Sequence, residues 1–230
     1  MPPIDPYATL FRMELLDSLF VLVVVMFSAV IHEVMHGYAA DKLGDPTARY
    51  AGRLTLNPIP HLDLFGSVIL PLLLTLSGSP LFFGWAKPVP YNPYNLIKAP
   101  YWGEAIVAFA GPLSNFALAL VAALLIRIGI FPLELAGVIF TIVVVNVMLG
   151  FFNLIPIPPL DGSKILSAIK QQCKEVGKIR IELTVDVDNM AAIGLYKKAG
   201  FETEGIVKKS YRLSSTDRFY DEYLMACFLE

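Results

Sequence analysis

Cysteine is scarce in this chain. Its two thiols, Cys173 and Cys227, form no Cys-x-x-Cys pair among 230 residues, which excludes a disulfide scaffold and a thiolate metal cage. Charge is scarce as well: 17% of residues are charged, against about 25% in an ordinary soluble domain. The 18 basic and 20 acidic side chains leave a formal net charge of −2, so no basic excess marks a nucleic-acid partner. Histidine occurs only three times. What fills the chain instead is apolar, with 56% hydrophobic residues and a mean hydropathy of +0.61. Soluble domains average about 45–50% apolar residues, so the composition points to a membrane.

The averages hide two unlike parts. Residues 1–173 hold 19 charged side chains, and the 57 residues 174–230 hold another 19. This roughly threefold rise in charge density marks the expected boundary between a membrane-embedded body, 1–173, and a polar tail, 174–230. Three apolar runs in the body exceed or approach the ~20 helical residues that cross ~30 Å of hydrocarbon. They are Leu15 through the histidines to Ala40, Trp102–Ile128 and Pro132–Ile155. A cleaved signal peptide is the alternative for the first run, but its flank is acidic at Glu14 and Asp17 and no small-x-small site ends it. Leu64–Leu76 has 13 residues, roughly 20 Å as a helix, with Pro71 in its middle. Segments of that length re-enter or lie at the interface more often than they span. The expected fold is mainly α: a polytopic membrane protein with three transmembrane helices and a re-entrant segment, followed by a small α+β C-terminal segment.

His32-Glu33-Val34-Met35-His36 is an H-E-x-x-H pattern. On a helix the i, i+4 spacing puts both imidazoles on one face, where they can share a metal. Two neutral imidazoles leave room for a third protein ligand and for a water whose proton a carboxylate accepts, here Glu33. The bland alternative is a pair of histidines facing a polar loop. Against it stands the location, because ionisable groups at the end of a membrane helix are expensive to hold without partners. Only His61 remains as a further imidazole, so a carboxylate is the better third ligand, and Asp161, just past the last span, is the candidate. Pro156, Pro158 and Pro159 exclude helix before it and predict an extended run that aims Asp161 back toward the bundle. The alternative for Asp161 is an N-cap or turn residue before Gly162.

If His32, His36 and Asp161 meet, the first and last spans exit on one side, which requires three crossings with residues 65–78 dipping in and out. That side carries Lys42, Arg49, Arg53, Lys87, Lys98, Lys164 and Lys170, against Arg12 and Arg127 on the other. The positive-inside rule makes it cytoplasmic, with the amino terminus outside and the tail inside.

Residues 32–71, beginning with H-E-x-x-H, then FGWAKPVP (83–90), AGPLSN (110–115) and NLIPIPPLDG (153–162), resemble in that order the site-2 proteases. These are intramembrane zinc metalloproteases that cut substrate transmembrane helices, and the resemblance covers about residues 15–170. It implies a hydrolase that holds one Zn2+ per chain on His32, His36 and Asp161 and uses Glu33 as general base and acid. It also implies a lipid bilayer and a membrane-protein or peptide substrate as partners, in a prokaryotic cell membrane with the active site toward the cytoplasm. Asn115 matches the family's asparagine position and is the first choice for an oxyanion donor or a holder of the substrate backbone; an interhelical hydrogen bond is the alternative. His61 is a weaker accessory candidate or an interfacial loop histidine, and Asn146 and Asn153 read as helix-packing and turn residues. Residues 82–96 look like the family's membrane-associated loop. Tyr91, Tyr94, Tyr101 and Trp102 suit an aromatic belt, and Gly111-Pro112 would break a soluble helix but is tolerated in a membrane helix, where it permits a local unwinding near the site. Two other classes stay open: a non-catalytic zinc-binding scaffold or transporter, and a membrane-anchored degenerate acetyltransferase.

The last class comes from the tail. Ile179–Val185 alternates like a strand, Asn189–Ala199 reads as a helix stopped by Gly200, and Phe201–Lys209 and Phe219–Phe228 read as strands. Asn189, Ala192, Leu195, Tyr196, Gly200 and Phe201, followed by Asp221–Met225, are similar to the carboxy-terminal half of GNAT N-acetyltransferases. By that resemblance Tyr196 matches the tyrosine that protonates the leaving thiolate of coenzyme A. The Arg/Gln-x-x-Gly-x-Gly/Ala loop that cradles the pyrophosphate is nowhere in the sequence. A tail of 57 residues is also short for a full core, so the expectation is a truncated GNAT-like segment without acetyltransferase activity.

Overall fold

The computed structural model describes residues 6–77, 85–130, 132, 135–213 and 218–229. Phe82, Phe83 and Gly84, at the start of the expected membrane-associated loop, lie outside the described residues. The chain divides into two compact units, residues 1–98 with 110–152 and residues 99–109 with 153–230.

In the first unit, helix α1 (Pro6–Leu43) takes in the whole first apolar run and more, 38 residues or roughly 57 Å. It exceeds the expected length because no glycine or proline interrupts residues 7–36. It stops at Gly44, whose φ of +116° only glycine adopts without strain. The Asp45 N–H then donates to the Ala40 carbonyl and the Gly44 N–H to the Asp41 carbonyl, which closes the helix end.

Asp45 begins the turn into α2 (Thr47–Tyr50) and ties it to a distant segment. Its carboxylate accepts from the Thr47 hydroxyl, the Asn92 N–H and the Asn95 amide. Burial pushes this carboxyl up, but those bonds and the Thr47 N–H outweigh it and hold it below the ordinary range.

The short apolar segment forms a π-helical turn (Leu64–Ile69) that continues into α3 (Leu70–Leu76), which contains Pro71. Asp63 caps the turn by accepting from the Gly66 N–H at 2.7 Å. The Trp85 N–H donates to the Gly66 carbonyl at 3.2 Å, so the chain that leaves at Gly66 is back beside it at Trp85. A Cβ on Gly66 would lie 2.3 Å from the Trp85 indole, which makes glycine necessary there.

Helices α4 (Gly103–Ile128) and α5 (Ala136–Asn153) match the other two apolar runs within a few residues. Leu19–Leu43 of α1, α4 and α5 are each long and apolar enough to cross a membrane. Phe140, Met148 and Phe151 of α5 are exposed, as a lipid-facing surface requires. Gly150 lets α5 approach α4, since a Cβ there would lie 2.8 Å from the Phe116 ring.

In the second unit, the run after Asn153 differs from expectation. Residues 154–160 form bends and turns and not an extended strand, with the Ile157 N–H donating to the Ile155 carbonyl and the Leu160 N–H to the Ile157 carbonyl. Prolines exclude helix, as expected, but they suit tight turns as readily as extended chain. Helix α6 (Asp161–Glu175) follows, so residue 173 falls inside a helix. The tail has the expected β-α-β-β order: β1 (Arg180–Asp186), α7 (Met190–Lys198), β2 (Glu202–Leu213) and β3 (Arg218–Phe228). The strands form one antiparallel sheet in the order β1-β3-β2. Val185, Ile193, Phe201, Met225 and Cys227 form its core, with Leu166 of α6 packed against them.

Replacing Asp45 by Ala leaves several donors around a buried position unmatched and is expected to destabilise the fold by about 2–3 kcal/mol. Because the folded carboxyl is held low, its stabilisation is present above the unfolded carboxylate range and is lost as pH falls below about 4. Thermal unfolding of wild type and Asp45→Ala at pH 7 and in acid measures both: the gap between them narrows as pH drops.

Candidate metal centre

Helical spacing brings His32 and His36 onto one face of α1, where their ring centroids lie 4.7 Å apart with the planes near perpendicular at 85°. Both rings are buried. The opposite wall is α4 at Gly111. A Cβ on Gly111 would lie 2.5 Å from His36 Nε2 and 2.6 Å from His32 Nε2. Both Nε2 atoms therefore face bare backbone, and glycine keeps the space in front of them open. The expected unwinding at Gly111-Pro112 does not occur, since α4 is helical throughout. Ser114 Oγ donates to the Gly111 carbonyl at 2.7 Å.

One turn along α4, Asn115 Oδ1 lies 2.6 Å from His32 Nδ1. The Asn115 amide nitrogen donates to Asn146 Oδ1 of α5 at 2.9 Å, so both ends of this amide are engaged. Asn146 was expected only to pack helices; it is fully buried and belongs to this network, as does Ser28. A lone amide in the apolar run Ile142–Met148 was the signal that could have found it.

Glu33 points to a different neighbour. Its Oε2 accepts the Val89 N–H at 2.8 Å. The segment that carries Val89 is fixed by the Lys87 N–H bonded to the His61 carbonyl at 2.8 Å and by the Arg53 guanidinium bonded to the Lys87 carbonyl at 2.6 Å. His61 is buried in a 3-10 turn (Ile59–His61), and its Nε2 lies 2.9 Å from the Thr55 carbonyl. Burial holds its imidazole below the ordinary value; the Thr55 carbonyl opposes this, the Arg53 charge adds to it, and Glu33 opposes. The roles of Val89, Arg53 and His61 in holding Glu33 rest on backbone groups, which residue types do not reveal.

Asp161 is the first residue of α6, with Leu160 at the N-cap position, so it is not the cap itself. Gly162 is required beside it, since a Cβ there would lie 2.1 Å from the Leu154 carbonyl oxygen. Lys164 Nζ donates to Asp161 Oδ1 at 3.0 Å. His32, His36 and Asp161, all buried, each offer one ligand atom, and these atoms lie within 4.8 Å of one another. Two imidazole nitrogens and a carboxylate oxygen are the donor set of an open zinc site.

Comparison with known proteins agrees with this chemistry. Residues 130–185 match Peptidase family M50. The chain is 38% identical over 165 residues to YwhC of Bacillus subtilis, which bears a zinc-metalloprotease name, and the match covers 68% of this chain and 70% of that protein. The chain belongs to peptidase family M50. As a member of this site-2 protease family it is a zinc metalloprotease. Zinc metalloprotease MJ0392 of Methanocaldococcus jannaschii is 32% identical over 152 residues, a match that spans 65% of this chain and only 34% of that longer protein. A separate match of 47 residues, 57% identical, is to L-amino acid N-acetyltransferase AaaT of Escherichia coli and spans 28% of it. The M50 family and the three apolar helices point to a membrane protein.

Gly111→Ala adds one methyl group with no backbone strain, and it must displace both imidazoles. The expected result is a zinc affinity about 10–100-fold lower in detergent-purified protein, with helix content by circular dichroism unchanged.

Proposed function

We propose that this chain is an intramembrane endopeptidase that cleaves transmembrane or membrane-proximal peptide bonds at His32, Glu33, His36 and Asp161. The observation that carries the reading is the buried ligand group of two imidazoles and one carboxylate on a scaffold of membrane-length helices. His32 and His36, through Nε2, and Asp161 hold one zinc ion per chain. When bound, zinc supplies Lewis acidity, which lowers the pKa of water and polarises a carbonyl. Glu33 accepts the proton of the attacking water and returns it to the departing amine. The Val89 N–H holds one Glu33 oxygen and so orients the carboxylate before substrate arrives. A helical substrate must unwind to be cut, because its carbonyls are already hydrogen-bonded.

In this reading α1, α4 and α5 cross the bilayer and Leu64–Leu76 re-enters. The return of the chain from Gly66 to Trp85 supports re-entry: α3 has seven residues, about 10 Å, too short to cross. The side with the lysine and arginine excess faces the cytoplasm of a prokaryotic cell, with the tail. Residues 1–173 form the protease core, and 174–230 a truncated GNAT-like segment without transferase activity.

Co-expression with a single-span substrate tests the protease reading. Glu33→Ala is expected to lower cleavage by about 10²–10⁴-fold while zinc stays bound, and Asp161→Ala to lose zinc as well. Unchanged processing in Glu33→Ala would instead indicate a zinc-binding scaffold or transporter. Titration of the full chain with acetyl-coenzyme A is expected to give no binding heat; saturable binding would restore the transferase reading of the tail.

A further inference from the structure

The three buried polar side chains behind the histidine pair, Asn115, Asn146 and Ser28, form a ladder whose hydrogen-bond direction is fixed at one end. Asn146 Nδ2 lies 2.9 Å from the Ile142 carbonyl oxygen and 3.0 Å from Ser28 Oγ. A backbone carbonyl can only accept, so the nitrogen of the Asn146 amide must face Ile142, and its Oδ1 must face Asn115. That oxygen in turn needs a donor, which sets the Asn115 nitrogen toward it at 2.9 Å. A second carbonyl supports the same orientation: the Asn115 nitrogen also lies 3.4 Å from the Ser28 backbone oxygen. Reversing Asn115 would set its oxygen against two other oxygens.

Only the Asn115 oxygen is left to face His32 Nδ1, at 2.6 Å, and an amide oxygen cannot donate. His32 must therefore carry a proton on Nδ1, which leaves Nε2, facing Gly111 beside His36 Nε2, as the ring nitrogen that can take a cation. We infer that Asn146 and Ser28 are positioning residues for the metal centre: through the Asn115 amide they lock His32 in the tautomer whose Nε2 can bind a cation. The inference deepens the metal-site reading above and rests on it for the identity of the ion. His61 supplies an internal contrast, because its Nε2 faces the Thr55 carbonyl and so bears the proton there.

The tautomers are readable without a metal. In zinc-free, detergent-solubilised full chain labelled with 15N-histidine, three ring systems are observed, assigned with His61→Ala and His36→Ala. The expected spectrum has a proton on His32 Nδ1 and on His61 Nε2. An unprotonated His32 Nδ1 would overturn the proposal, and this measurement needs no variant of the ladder to fold. In parallel, Asn146→Leu is expected to weaken zinc binding about 10–100-fold with unchanged helix content. Ser28→Ala is expected to weaken it less, and Ser28→Thr, which keeps the hydroxyl, to restore it. If Asp161→Ala and His36→Ala lose zinc but Asn146→Leu and Ser28→Ala bind it as wild type does, the ladder fails and the metal centre stands. If wild type binds no zinc, the metal-site reading fails, whatever the tautomer.

Discussion

A polar group buried among apolar helices is costly unless it has a partner, and an imidazole brings two ring nitrogens to satisfy. His32 meets this constraint asymmetrically. Its Nδ1 is bonded to Asn115, and its Nε2 faces the Gly111 backbone beside His36 Nε2. The rest of the first unit can be understood from there. Asn115 must be at that level of α4, one turn from the glycine that opens the space. Asn146 and Ser28 must match the amide in turn, and α5 must come close enough to reach it, which Gly150 permits. Polar groups that would be costly singly become tolerable together, because the Asn115 and Asn146 amides each donate to an acceptor within the ladder.

Glu33 follows a different logic. It is only partly buried where the histidines are buried, and it is still oriented. Its partner is a backbone N–H, from a segment held by other backbone groups through His61 and Arg53. Asp45 fixes the far end of the same segment, at Asn92 and Asn95, to the close of α1. The first helix thus holds the loop at two points, one beside the active residues and one below them.

These features were unequally legible in the sequence. The H-E-x-x-H spacing and the three apolar runs are periodic signals over many residues, and the structure has helices there. Asp161 could be chosen because so few histidines compete with it and because its position after the last apolar run is unusual. The turn at 154–160 was misread as extended because proline forbids helix without choosing between the remaining conformations. Asn146 was seen as polar and given a packing role, since a sequence does not say which amide faces which. Unwinding at Gly111-Pro112 was inferred from local propensity, whereas the glycine serves the facing histidines and α4 stays intact. What sequence could not carry were bonds to backbone atoms, and Glu33 and His61 depend on those.

The tail packs against α6, the helix that opens with Asp161. Asp161 opens this helix, and a free helix of 15 residues is marginally stable in water. Leu166, further along α6, packs against the core of the tail sheet, and Lys170 lies 4.8 Å over the Phe201 ring while donating to the Ala199 carbonyl. The boundary suggested by charge density, at residue 173, therefore cuts through a helix whose first turn carries a candidate ligand and whose later turns form one layer of the polar segment. Charge density reports what faces water, and packing reports what folds together. A helix with a buried carboxylate at one end and an apolar stripe against a sheet at the other satisfies both descriptions, so the tail supports the helix that presents Asp161 whether or not it retains the chemistry of the proteins it resembles.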